Sequence, residues 1–243
     1  MKMLKLISVT KLGLFVNLIV YLIFPQLAIT QNTNFDIRKN LENGLNARNL
    51  KLIKNNLTEK ESIKIQEKFI KIIKDFPDSK WEIKRSRKEG SMDKIFYVKV
   101  HGKKTVDEKI YFLESNFQYL FSIENGKINN GTIKNLLTTI RNDQNKIDII
   151  FRIPDKVLTG TKYDIDIILN EPLGDVIVAG GIMSYQDESY IKQELSIKPL
   201  TSGGIFKTTR ASSKPSTQIW TGMIAHPKGM VSFTKSVEIV EKI

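Results

Sequence analysis

The side chains able to do chemistry are few and scattered. The chain has two histidines, His101 and His226, and no cysteine. His101 stands in the run Val98-Lys-Val-His-Gly-Lys-Lys104, where His101-Gly102 predicts a turn at an exposed hairpin tip. His226 precedes Pro227 in a second turn. The two lie in different halves of the chain, so a shared metal site is not expected, and each reads as a solvated loop residue. Asp164 and Asp166 fall on one face of a strand pattern, with Glu171 and Asp175 close behind. Oxygen ligands at that density suit calcium, but the glycine-bearing loop of a calcium hand is missing, and the polar outer face of a strand accounts for them. Without cysteine there is no thiolate nucleophile, thiolate metal site, disulfide or lipidated cysteine. No glycine-rich phosphate loop opens a helix, and no Gly-x-Ser-x-Gly elbow occurs. These residues therefore assign no catalytic group, no cofactor and no metal.

Two larger groupings point to binding instead. Between Lys80 and Lys104 nine cations stand against three acids, with Trp81, Phe96 and Tyr97 among them. Lys84, Arg85, Arg87, Lys88, Lys103 and Lys104 are the candidates for contact with an anionic membrane surface or an acidic protein partner. In a cytosolic protein the same stretch would suggest nucleic acid; the chain's first residues argue for export, and no nucleic-acid partner is expected. The second grouping is an aromatic ladder: Phe117, Tyr119 and Phe121, with Phe96 and Val98 on a neighbouring strand pattern. These five residues form either plain core or the lining of an apolar ligand cavity. Asn56-Leu-Thr58 and Asn130-Gly-Thr132 match the glycosylation sequon, which is uninformative in a bacterial-looking chain.

The elements that would carry these groups divide in two. From Asp36 to Phe76 apolar residues recur at helical spacing: Ile37, Leu41, Leu45, then Leu50, Ile53 and Leu57, then a face of Ile63, Ile65, Phe69, Ile70, Ile72 and Ile73. Thr58 and Glu61 form a capping-box pattern, and Pro77 ends the last helix. From Trp81 the period becomes two. Asn125-Gly126 is the strongest hairpin signal, and Gly131 to Arg141 predicts a last strand. After the polar run Arg141 to Lys146, short alternating strands separated by turn residues predict a β-sandwich of roughly seven strands. The net charge of +12 follows the same division: +8 lies in 31–145 and +1 in 146–243.

The first thirty residues differ from both halves. Lys2, Lys5 and Lys11 precede the apolar run Leu12 to Phe24, and no acid appears before Asp36. Pro25 breaks the run, and Ala28-Ile-Thr30 is a passable cleavage site. The run is shorter than the roughly 20 apolar residues of a spanning helix. A signal peptide, or a membrane anchor at 12–24, is expected, with the rest delivered to the periplasm or a thylakoid lumen.

The run Gly44-Leu-Asn-Ala-Arg-Asn-Leu50 with Leu52-Ile53, followed by a Pro-ended helix and a strand opening on Trp81, resembles the nuclear transport factor 2-like superfamily, to which ketosteroid isomerase also belongs. Most of the chain beyond the leader also resembles a group of exported cyanobacterial proteins. Their β-rich tails carry motifs like Ile153-Pro-Asp-Lys-Val157, Glu171-Pro-Leu-Gly-Asp175, Ala179-Gly-Gly181 and His226-Pro-Lys-Gly229. The superfamily resemblance covers residues 36–145 and implies a cone of helices on a curved antiparallel sheet around an apolar cavity, dimerising through the open sheet face. It implies no activity, since the superfamily holds enzymes, carriers and dimerisation modules. The isomerase-type members place a general base just before the first long strand, near Asp78 here, and an oxyanion-donating Tyr on the first helix. The helix from Asp36 to Arg48 has no Tyr, and Asp78 between Pro77 and Ser79 suits a turn.

The expectation is thus an α+β chain: a signal or anchor helix in 1–30, a nuclear transport factor 2-like domain in 31–145, and an immunoglobulin-like β-sandwich in 146–243. Its expected function is exported, non-catalytic binding or assembly, as a homodimer or at a membrane surface. A small isomerase or hydro-lyase is the alternative.

Overall fold

The computed structural model describes residues 34–86, 94–142, 147–170, 176–186, 194–200 and 203–242. They form two compact units, 34–140 and 141–242. The leader, with the signal or anchor assigned to it, lies outside the described residues.

In the first unit, α1 (Asn34–Asn46), α2 (Leu50–Asn55) and α3 (Glu59–Asp75) precede β1 (Lys80–Arg85), β2 (Lys94–Val106), β3 (Lys109–Glu124) and β4 (Lys127–Arg141), the last ending just past the unit boundary. The strands pair in sequence order. Trp81 and Ile83 lie opposite Val100 and Val98, and Phe96 and Val98 lie opposite Tyr119 and Phe117, so one sheet face is continuously apolar. The amphipathic stripe of α3 supplies Phe69, Ile72 and, at its end, Phe76 to the same core, with Phe69 tilted on Trp81 at 6.1 Å between ring centres.

The turns follow backbone chemistry. Asn125 (φ 48°) and Gly126 (φ 75°) join β3 to β4, as the Asn-Gly signal predicts. His101-Gly102 does not turn. β2 runs straight through it, and Asp107 (φ 48°) and Glu108 (φ 64°) make the bend instead. Gly102 is needed for space, because a Cβ there would sit 3.0 Å from the Cβ of Phe76. In β4 the buried-exposed alternation slips at Asn130 and Gly131, which are both buried, with Asn130 at φ 51°. That is the signature of a β-bulge, which bends a strand and re-aims its backbone.

The second unit holds β5 (Ile149–Arg152), β6 (Lys156–Leu158), β7 (Lys162–Leu169), β8 (Ala179–Tyr185), β9 (Lys198–Pro199), β10 (Gly204–Arg210), β11 (Ser216–His226) and β12 (Gly229–Val240). β10-β7-β5 form one antiparallel sheet; β12-β11-β8-β9 form another strand path, with β6 added parallel to β12. Both contribute to a core containing Ile165, Ile167, Trp220, Phe233 and Val237. Inside it the Tyr163 hydroxyl donates to Gln218 Oε1 at 2.7 Å and accepts from Trp220 Nε1 at 3.0 Å, and Gln218 Nε2 donates to Ser184 Oγ at 3.1 Å. This chain lets a tryptophan and a tyrosine enter the core with their polar atoms satisfied.

These elements correct the expected fold class. The protein is not a balanced α+β chain: it is mainly β, with helices of 13, 6 and 17 residues set against twelve strands among the described residues. The helical periodicity of 36–76 breaks into short pieces at Ala47–Asn49 and Asn56–Thr58, whereas the two-residue period after Trp81 builds strands of up to 16 residues. Nor is the second unit the set of seven similar short strands expected of an immunoglobulin-like sandwich. Its long β11–β12 hairpin, of 11 and 12 residues, carries a parallel partner strand. The nuclear transport factor 2-like label is not shown by this architecture. The expected transmembrane helix is likewise not shown: no described helix is long and apolar enough to cross a membrane.

Candidate functional site

Between α1, α3 and the apolar sheet face of the first unit lies a cavity of about 70 Å³. Leu41 and Leu45 of α1 and Ile65, Phe69 and Ile72 of α3 line one side; Trp81, Phe96, Val98, Phe117, Tyr119 and Ile133 line the other. The volume is roughly five times what one water needs, and a wall of hydrocarbon offers water too few partners to hold it. Four of the ladder residues line it. Phe121 does not: it packs behind, 4.5 Å from the ring of Phe96 and 5.6 Å from that of Tyr119.

Polar side chains of α1 tie it directly to the edge strand β1. Arg38, Glu42 and Asn46 recur every fourth residue on one face of α1. Arg38 Nη1 donates to the Ile83 carbonyl at 2.7 Å, and the Ile83 N–H donates to Glu42 Oε2 at 3.1 Å. Asn46 closes a pair of bonds with the Trp81 backbone. Three helix side chains thus do for β1 what a neighbouring strand would do, and they fix Trp81 with its ring against the cavity.

Three polar groups are buried beside this apolar space. The Trp81 indole N–H is buried without a hydrogen-bond partner among the described residues, on a residue that lines the cavity. The Tyr119 hydroxyl lies over Gly131, where a Cβ would overlap it. Glu61 is fully buried, 0% exposed; neither carboxylate oxygen has a hydrogen-bond partner within ordinary geometry among the described residues, and the backbone donors Gly131 and Asn130 at the β4 bulge act on it electrostatically, with Lys64 Nζ 3.8 Å away. Burial raises the Glu61 carboxyl above its ordinary 4.5, opposed by Lys64, these two backbone donors and Lys60. Burial, and then the Glu61 charge, hold the Tyr119 hydroxyl well above its ordinary range. The capping box expected at Thr58 and Glu61 is not made. Thr58 gives no side-chain cap, and its hydroxyl instead donates to Asn129 Oδ1 at 3.1 Å. The signal for the true role of Glu61 was its spacing: positions 61, 65, 69 and 72 fall on one stripe of α3, and the stripe is the buried one.

The basic candidates do not converge. Lys84 and Arg85 are exposed at the far end of β1, opposite Tyr97 and Phe96. Lys103 is exposed six residues further along β2 from Tyr97, roughly 20 Å away at the rise of a strand. Lys104 is half-buried with its ammonium 5.2 Å from the centre of the Phe76 ring, and burial lowers its pKa against the pull of Asp75. Arg87 and Lys88 lie outside the described residues. Asp78 sits exposed in the turn after Phe76, away from the cavity. His101 is in mid-strand, 4.0 Å from Glu82, and His226 Nδ1 accepts from the Lys228 N–H within its turn. Asp164 accepts from the Thr208 hydroxyl at 2.6 Å, and Glu171 and Asp175 are not among the described residues. No group of three or more metal-ligating side chains is assembled among the described residues.

Residues 144–240 match the model of a family described as a domain of unknown function (DUF8623). The match falls within the second unit and does not reach the cavity. No curated protein matches the chain.

Proposed function

We propose that the first unit is a binding module that holds a small, predominantly apolar molecule in the cavity between its helices and its sheet, and that the protein works beyond the cytoplasmic membrane as a carrier or sensor and not as a catalyst. The observation that supports this is the lining: Leu, Ile, Phe and Val side chains surround a space that water has little reason to fill. The cationic, then apolar, start of the chain supports the location. The test is thermal unfolding of the full chain with increasing methylcyclohexane. A saturable rise in melting temperature is expected, and a flat response sinks the reading.

A second reading has one observation in its favour. Glu61 is a buried carboxyl of raised pKa beside a tyrosine hydroxyl, the kind of group an isomerase or hydro-lyase employs. It requires that the protein speed exchange of the α-protons of cyclohexanone in heavy water and that Glu61→Gln abolish the effect. Exchange at the buffer rate removes it.

A further inference from the structure

We propose that the outer face of the β10-β7-β5 sheet in the second unit is a binding platform for a neutral glycan, with Phe206 as the stacking ring and Arg152 and Asp166 as the hydrogen-bonding pair beside it. The inference goes beyond the cavity reading and does not depend on it. β7 divides its side chains cleanly: Tyr163, Ile165, Ile167 and Leu169 enter the core, so Asp164, Asp166 and Ile168 lie on the opposite face. The pairing sets Asp166 directly opposite Arg152 of β5 on one side and Phe206 of β10 on the other. These three residues therefore form one row across the sheet, roughly 10 Å long at the spacing of strands.

Two features of the row point to a ligand. Phe206 is 54% exposed, a large apolar ring left in water in the middle of a strand. Arg152 and Asp166 carry opposite charges at directly opposed positions, yet neither side chain makes a hydrogen bond or ion pair among the described residues. Cross-strand partners of opposite charge ordinarily meet. The neighbouring pair shows the contrast, since the Thr208 hydroxyl donates to Asp164 at 2.6 Å. Half-buried Ile150 and Ile168, opposite each other in the adjoining row, extend the apolar floor.

A sugar matches this arrangement. Its ring offers a face of C–H groups to the phenyl ring and a rim of hydroxyls, each both donor and acceptor, to the guanidinium and the carboxylate. A cation would meet Arg152 and an anion would meet Asp166, so a ligand of one charge gains little.

The test is calorimetric titration of the full chain with chitohexaose, maltohexaose and xylohexaose, all neutral, and with trialanine, a zwitterion that also suits an Arg–Asp pair. At least one of the sugars is expected to bind, with an affinity unchanged by added salt. Phe206→Ala and Arg152→Ala should each weaken it about tenfold or more, the worth of one stacked ring or one charge-assisted hydrogen bond. Both positions are exposed, so the urea midpoint should stay in place. Lys162→Ala, at the far end of β7, should leave binding unchanged. Binding of none of the sugars, tightest binding of trialanine, or indifference to both Phe206→Ala and Arg152→Ala overturns the inference. Self-association of the natural chain in sedimentation, abolished by Phe206→Ala, would assign the face to a second copy and also overturn it. Each of these outcomes leaves the cavity reading of the first unit intact.

Discussion

Asn46 and Trp81 exchange two hydrogen bonds across 35 residues of chain: the Asn46 Nδ2 donates to the Trp81 carbonyl at 2.8 Å, and the Trp81 N–H donates to Asn46 Oδ1 at 2.9 Å. One carboxamide matches one peptide group atom for atom and closes the outer edge of β1. Replacing Asn46 with Ala leaves both backbone groups seeking water at a half-buried place. A loss of about 2 kcal/mol in urea unfolding is expected. Asn43→Ala, at an exposed position of the same helix, should lie within about 0.5 kcal/mol of the natural chain. Equal effects at the two positions would show that the edge closure contributes nothing.

Gly131 is where Tyr119 passes over β4. A methyl group there would overlap the ring and hydroxyl of Tyr119. Gly131→Ala is expected to destabilise by about 1–3 kcal/mol, the usual range for overpacking. Adding Tyr119→Leu should return part of that loss, because the obstructing ring is gone. Additive effects in the double variant would place the strain elsewhere.

Glu61 sets a pH dependence with a definite sign. Its folded pKa is raised above 4.5 by burial, so between those two values the folded chain holds a proton that the unfolded chain has released. Its contribution to stability is therefore greatest at or below pH 4.5 and falls as pH rises through the folded pKa. Asp75 is shifted in the same direction by burial, so the natural chain alone does not isolate the effect. The difference between the natural chain and Glu61→Gln does. It should change in favour of the glutamine variant as pH rises from 4.5 through the folded pKa and stay level above it. A difference independent of pH would mean that Glu61 titrates normally.

In the second unit, Tyr163→Phe removes the hydroxyl that accepts from Trp220 and donates to Gln218. Two buried polar groups lose a partner at once. A loss of about 2–4 kcal/mol is expected in denaturant unfolding, with a changed near-ultraviolet signal from Trp220. Under 0.5 kcal/mol would mean that water takes the vacated place.

Much of this architecture was legible in residue spacing. The stripe Ile37, Leu41, Leu45 marks α1, Pro77 marks the end of α3, and Asn125-Gly126 marks the hairpin, because helical period, a missing N–H and left-handed backbone are local properties. Gly102 misled for an equally physical reason. A glycine permits a turn, but it also permits close approach, and only the position of Phe76 shows which is used. The proportion of helix to strand was misread because a helical period says where helices are favoured, not how often they break.

What the sequence by itself determined is the set of apolar faces, the change of period at Trp81 and the uneven charge, since each is carried by residues near one another in the chain. Only the tertiary structure decided that Glu61 is buried and not a cap, that Trp81 keeps an unmatched N–H beside a cavity, and that the basic residues of one short stretch separate along a strand. Burial, pairing and distance depend on what arrives from elsewhere in the chain. The bulge at Asn130–Gly131 and the helix face of Arg38, Glu42 and Asn46 meet their partners only once the sheet has formed.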